Sequence, residues 1–335
     1  MTDLSRAKAC VQAHHAAVAG AAPDTVATAL GQHLSPNATW RGMHPFHVQT
    51  GPDAVAATFW APFLTAMSRV QRREDVFFAG HNRLDAGGTW VASMGHLMAL
   101  FDAPFLGIRP TGKIVMVRYA EFSRVEGDRI TEQALFVDLL HLMAQVGQYP
   151  LPDMTAAQLV QPGPMTHDGL LRGDQDHRES VRTLALIERM IGAITHANTA
   201  ENPPTPQQEL AQDWLDDMVW WGPTGIGATY TIDRYIAQHQ QPFRTQLGAR
   251  QYNGHICRMA EATYGGFFGW ANLTMECTGP YMGLPPSGKR ADMRVVDIYR
   301  RDGDKLAENW VFIDMLHFLN MQGLDVLAQL DVRAR

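Results

Sequence analysis

The chain repeats itself once. Thr111-Gly112-Lys113 returns 176 residues later as Ser287-Gly288-Lys289, and residues 111–147 then run against 287–323 without a gap. Twelve of these 37 pairs are identical, among them Arg118/Arg294, Gly127/Gly303, Glu132/Glu308, Asp138/Asp314 and His141/His317. Upstream the offset becomes 180: Trp40 meets Trp220, Gly42 meets Gly222, and Pro62-Phe63 meets Pro242-Phe243. Four residues deleted from the second copy, opposite Gly87-Gly88, reconcile the two offsets. The period is far too long for a solenoid. It implies two copies of one domain, and 335 residues suit two domains of ordinary size.

The boundary follows from composition. Pro150, Pro152, Pro162-Gly163-Pro164 and Gly169 make a breaker-rich stretch. The expected division is a first domain over 1–150, a linker over 151–176 and a second domain over 177–335.

Both copies show the same order of elements. Leu4, Ala7, Val11, His14 and Val18, and later Leu184, Ile187, Ile191 and Ile194, recur at helical spacing. A short strand is expected around Trp40 and around Trp220. A helix follows, with Asp53 or Asp233 as its expected N-cap and Val55, Phe59, Phe63 and Met67 on the apolar face of the first copy. Strands are expected over 74–81, 89–101, 113–124 and 129–138. Glu126-Gly127-Asp128 and Asp302-Gly303-Asp304 supply hairpin turns. Strands behind helices predict an α+β fold in each of the two copies, a curved antiparallel sheet packed on helices.

Lys and Arg total 28 against 34 Asp and Glu, a net charge of −6. That balance argues against binding a nucleic-acid backbone. No apolar run approaches 18 residues, so no membrane span is expected. Cys10, Cys257 and Cys277 cannot form a disulfide framework and are expected as small buried thiols, which suits the cytoplasm. No dinucleotide, P-loop, serine-hydrolase or zinc-protease motif is present, and His44-Pro45-Phe46-His47 lacks a neighbouring carboxylate or thiolate. Neither a cofactor nor a metal is expected.

The residues that could perform chemistry lie on the strands. At a period of two, Ile130, Glu132, Ala134, Phe136 and Asp138 share a face, as do Leu306, Glu308, Trp310, Phe312 and Asp314. An Asp after Phe on a largely apolar face suits proton transfer if a pocket lies there. Asp138 equally fits the N-cap of a helix starting at Leu139. His96, with Asn272 as its counterpart, is either a donor to a developing oxyanion or a core histidine. His141 and His317 stand one helical turn beyond the Asp. Arg118 and Arg294 either bind a ligand oxyanion or make a structural ion pair. On this face assignment, Val117, Tyr119, Leu135 and Val137, with Val295, Tyr299, Val311 and Ile313, point outward. They would join the two sheets face to face in an intramolecular pseudo-dimer.

Together these features resemble a SnoaL-like polyketide cyclase domain of the nuclear transport factor 2-like superfamily. The resemblance rests on Trp40 with Gly42, Gly51 opening a helix, Gly107-Ile108-Arg109-Pro110-Thr111-Gly112-Lys113, Gly127-Asp128-Arg129-Ile130-Thr131-Glu132 and Phe136-Val137-Asp138. It is repeated in Gly283 to Lys289, Gly303 to Trp310 and Asp314. It implies a cone with an internal ligand pocket and a cofactor-free intramolecular aldol condensation. The acid/base residue would match Asp138 and Asp314, and a strand His near the substrate would match His96. Trp40, Arg118, Phe136, His141, Trp220, Asn272, Arg294, Trp310 and His317 would bind the substrate, a small hydrophobic carbonyl compound. The alternatives are a dehydratase or epoxide hydrolase on the same fold, and a non-catalytic binding or association module. A further homodimer is compatible with either.

Overall fold

The computed structural model describes residues 2–85 and 88–333, so Gly87 at the expected deletion lies outside the described residues. The fold is α+β, with two curved sheets, each backed by helices. The strands of the first are β1 (Leu34–Gly42), β2 (His47–Thr50), β3 (Met67–His81), β4 (Thr89–Phe101), β5 (Ile114–Glu126) and β6 (Arg129–Val137). They lie in the order β2-β1-β6-β5-β4-β3. The second sheet contains β7 (Trp214–Trp221), β8 (Ala228–Tyr230), β9 (Leu247–Tyr252), β10 (Cys257–Glu261), β11 (Tyr264–Cys277), β12 (Arg290–Asp302) and β13 (Lys305–Ile313). Its order is β10-β11-β12-β13-β7-β8, with β9 also on β11. In both sheets the first long strand joins the last in parallel, and all other pairs are antiparallel.

Local chemistry explains these elements. Helices Asp3–Ala19 and His177–Thr199 open the copies, capped by Thr2 and Asp176. Gly127 and Gly303 adopt positive φ at the tips of the β5–β6 and β12–β13 hairpins, a conformation that suits glycine. Asp53 and Asp233 lie in the first turn of their helices; Thr50 and Thr231 occupy the N-cap positions instead. Met67 opens β3 rather than closing the helical face. Trp40 and Trp220 fold back over Gly42 and Gly222, where any Cβ would overlap the indole ring.

The outer faces of the two sheets meet in one apolar layer. Phe78, Trp90, Phe122 and Phe136 pack there against Phe268, Ile298, Trp310 and Phe312. This corrects the face assignment. Val117, Tyr119, Leu135 and Val137, and Val295, Tyr299, Val311 and Ile313, belong to the other cluster, beneath the helices. Alternation separates the two sets of side chains, but both sets are apolar because each sheet is covered on both sides. The contacts between the sheets are reciprocal. Thr224 N–H donates to Asp138 Oδ2 at 2.9 Å, and His44 N–H donates to Asp314 Oδ2 at 3.0 Å. Such exchange is the pattern of a two-fold pair.

Residues 151–176 run along this seam, tied to both sheets. Leu170 bridges to Phe77 and Ala157 to Ala228. The Gln161 amide donates to the Gly222 carbonyl, and Trp310 Nε1–H to the Pro162 carbonyl. A buried ion pair, Lys8 to Glu261 at 2.5 Å, adds a long-range tie; Glu261 also accepts the Ala79 N–H. The three cysteines are free and buried.

Candidate active site

The strand carboxylates Asp138 and Asp314 lie at the seam. Each accepts the backbone N–H three residues on, of His141 and His317, as the N-cap of helices Leu139–Gln145 and Met315–Met321. The second oxygen of each is taken by the other half of the chain, as described above. The crevice beside Asp138 has a volume of only about 10 Å³, too small for a substrate. Arg118 stands 3.9 Å from Asp138 and donates to the carbonyls of Trp221 and Val311 while its guanidinium covers the Phe312 ring. Burial pulls its pKa down to about 9, against the opposing pull of Asp138. His96 pairs with Arg118 across the β4–β5 ladder and faces Asp75 at 3.4 Å. Arg118 thus stands beside Asp138, and His96 beside Asp75, between the sheets and without a ligand-sized space. Phe136 and Trp310 fill the same layer. Arg294 pairs with Asp314 and lies over Trp270. Trp40 is fully buried in the first core against Phe59. Of the expected substrate-binding residues, only Trp220 and Asn272 reach the large cavity.

That cavity, about 280 Å³, opens beneath the second sheet, on the face that alternation had left for the outside. Its polar groups converge from several elements: Asp297 and Tyr299 from β12, Asn309 from β13, Tyr235 and His239 from the helical segment before β9, and His255 from the loop before β10. Aromatic rings make the walls. His239 stacks on Trp220 with centroids 4.0 Å apart, and His255 stacks on Phe267 at 3.9 Å. Asn272 is tied down, its Oδ1 accepting Val295 N–H.

Asp297 is the acidic group at the centre of this arrangement. It keeps a little surface open to the cavity but is otherwise ringed by protein. Burial pushes its carboxyl up to about 7, against hydrogen bonds from Asn309 and Tyr299 that favour the charged form. Asn309 Nδ2 lies 3.3 Å from Asp297 Oδ1. Burial also raises Tyr235 and Tyr299 and keeps them as neutral donors. It lowers His239 to about 3, so that imidazole is neutral as well. A carboxyl poised near neutrality among neutral donors and aromatic walls can exchange protons with a bound organic molecule.

Among the described residues the first repeat shows no such space. Glu121 takes the place of Asp297, with His15 Nε2 at 2.6 Å and Arg72 at 3.6 Å. Burial alone would raise Glu121, but His15 and Arg72 outweigh it and hold the carboxyl down to about 2. Tyr119 stands where the second repeat has Val295, its hydroxyl bonded to Ser93. Phe46, Phe59, Phe63 and Phe105 stack through the remaining volume. The gap beside His15, Trp60 and Arg72 is about 20 Å³. Among the described residues no cluster of three or more His, Cys, Asp or Glu could hold a metal ion.

Sequence comparison bears on the same elements. Residues 14–146 and 269–320, more than half of the chain, match the SnoaL-like polyketide cyclases. The chain belongs to that family. The second matched segment contains β12 and β13, and with them Asp297 and Asn309. No curated protein matches this SnoaL-like chain. Solved structures similar to it include an NTF2-like protein of Burkholderia xenovorans LB400, at 12% identity over 43% of this chain and 97% of that one, TM-score 0.34. Another is an NTF2-like protein of Burkholderia thailandensis E264, at 21% identity over 44% and 99%, TM-score 0.32. No helix of the SnoaL-like chain is long and apolar enough to cross a membrane.

The sequence did contain a signal for Asp297. It is the one acidic residue between Val295 and Tyr299 on its strand face, opposite Arg294. His239 and His255 have no such signal, since they join the site only through packing.

Proposed function

We propose that the cavity of the second repeat is the active site of a cofactor-independent enzyme of the cyclase or isomerase type, with Asp297 as its acid/base. The observation behind this is a carboxyl with a pKa near 7 inside an aromatic-walled cavity. The ionised carboxylate takes a proton from the carbon next to a carbonyl. The resulting enolate forms a new carbon–carbon bond to a second carbonyl, and Asp297 returns the proton to the new alkoxide. Returning it to a different carbon gives an isomerisation instead. Tyr235, kept protonated, supplies a donor for the enolate oxygen, while the Tyr299 hydroxyl stays on Asp297. Asp138 and Asp314 serve as caps that join the halves. The first repeat serves as scaffold, one working site per chain, because its equivalent carboxylate is locked in ion pairs. The ligand is a small, hydrophobic carbonyl compound.

Deuterium exchange tests this. With 2-acetylnaphthalene in D2O, the protein should accelerate exchange at the methyl carbon. Asp297→Asn should lower that rate by about 100-fold or more while leaving binding of the ketone in place. Equal rates in the two proteins would remove Asp297 from the role. Tight binding without exchange in the unmodified protein would leave a binding module.

A further inference from the structure

We propose that His255 is a second ligand-binding group of this cavity, a neutral imidazole whose tautomer is set by Arg258 so that Nε2–H is offered to the ligand's carbonyl oxygen. The inference rests on the reading that the cavity takes a carbonyl compound.

The tautomer follows from the partners. An Arg258 guanidinium nitrogen lies 3.2 Å from His255 Nδ1, and the Tyr252 hydroxyl lies 3.4 Å from the same atom. A guanidinium has donors only and keeps its charge. Nδ1 must therefore present its lone pair, and in a neutral ring the proton then sits on Nε2. Arg258 is itself held by Glu188 at 3.5 Å. Its backbone N–H donates to Asn82 of the first repeat, which fixes the start of β10. Burial, and after it the charge of Arg258, lower His255 to about 3, so the ring stays neutral at physiological pH. One ring face is covered by Phe267 and the Tyr252 ring stands edge-on at 5.5 Å. The Nε2 side and the opposite face are what remain to line the cavity.

A neutral N–H donor suits a carbonyl that gains negative charge as its neighbouring carbon loses a proton. It also leaves Asp297 as the group that exchanges the proton. Sequence reasoning placed the donor at Asn272, whose side-chain oxygen accepts Val295 N–H. His255 comes from a loop instead and needs Arg258 as a positioning residue.

Two measurements on the full chain decide this. In nitrogen-15 histidine NMR at pH 7, His255 should have its proton on Nε2 with Nδ1 bare, and Arg258→Met should give a mixture of tautomers. In binding, 2-acetylnaphthalene should be preferred about tenfold over 2-isopropenylnaphthalene, which has the same shape but no acceptor oxygen. His255→Phe should abolish that preference while still binding the hydrocarbon, which reports an intact cavity. Arg258→Met should weaken the preference. A proton on Nδ1, an imidazolium at pH 7, no preference in the unmodified protein, or a preference intact in His255→Phe would each overturn the proposal. None of these readouts depends on proton exchange by Asp297, so the two readings fail separately.

Discussion

Glu121 and Asp297 occupy the same position of the repeat, 176 residues apart, yet hold their protons in opposite ways. Glu121 meets His15 and Arg72 and stays ionised down to about 2; Asp297 meets an amide, a phenol and apolar walls and is pushed up to about 7. One duplicated strand has thus produced an ion-paired carboxylate in one half and a carboxyl held near neutrality in the other.

For Asp297 the sign is that of a raised acid. Between pH ~4 and ~7 the folded protein holds a proton that the unfolded chain has lost, so this group makes stability fall as pH rises through that window. Asp297→Asn removes the effect. The variant should be more stable than the parent at pH 8, by roughly 1–4 kcal/mol, and equal to it near pH 4. Urea unfolding at the two pH values checks this. The rate of proton exchange should rise through pH ~7 in the parent, as a base of that pKa requires.

Glu121 shows the opposite linkage. Its depressed pKa contributes stability that is fully present above pH ~4.5 and disappears as pH falls toward ~2. Glu121→Gln should lose on the order of 2 kcal/mol at pH 7 and match the parent near pH 2. A denaturant series across that range reads the difference directly.

Val295→Tyr copies the first repeat into the second. The added ring should occupy the cavity, with a change in stability within about 1–3 kcal/mol for added bulk. Binding of 2-acetylnaphthalene should be lost while circular dichroism stays unchanged. Retained binding would show that the ligand sits elsewhere.

Arg118→Met tests the seam. The change leaves the carbonyls of Trp221 and Val311 without their donor and Asp138 without its nearest cation. The expected loss is about 3–5 kcal/mol in urea unfolding, the scale for breaking a buried charged contact. His255 and Asp297 lie on the other side of the second sheet, so affinity for the ketone should change much less than stability.

The sequence by itself determined the duplication, the order of helices and strands in each half, the hairpins at Gly127 and Gly303, and the joint position of Asp138 and His141 on a helix start. These follow from local spacing and turn chemistry, which act over a few residues. The choice of face did not. Phe136 and Val137 are both apolar neighbours on one strand, because one packs against the other sheet and the other against helices. Only tertiary packing decides which set looks into the cavity. It also decided that Asp138, beyond capping its own helix, accepts the Thr224 N–H from across the seam, that Tyr119 fills a space Val295 leaves open, and that His255, brought by a loop, stands beside Arg258 and lines the same cavity as Asp297. Burial sets the protonation of those groups, and burial is a property of the assembled layers rather than of any one segment.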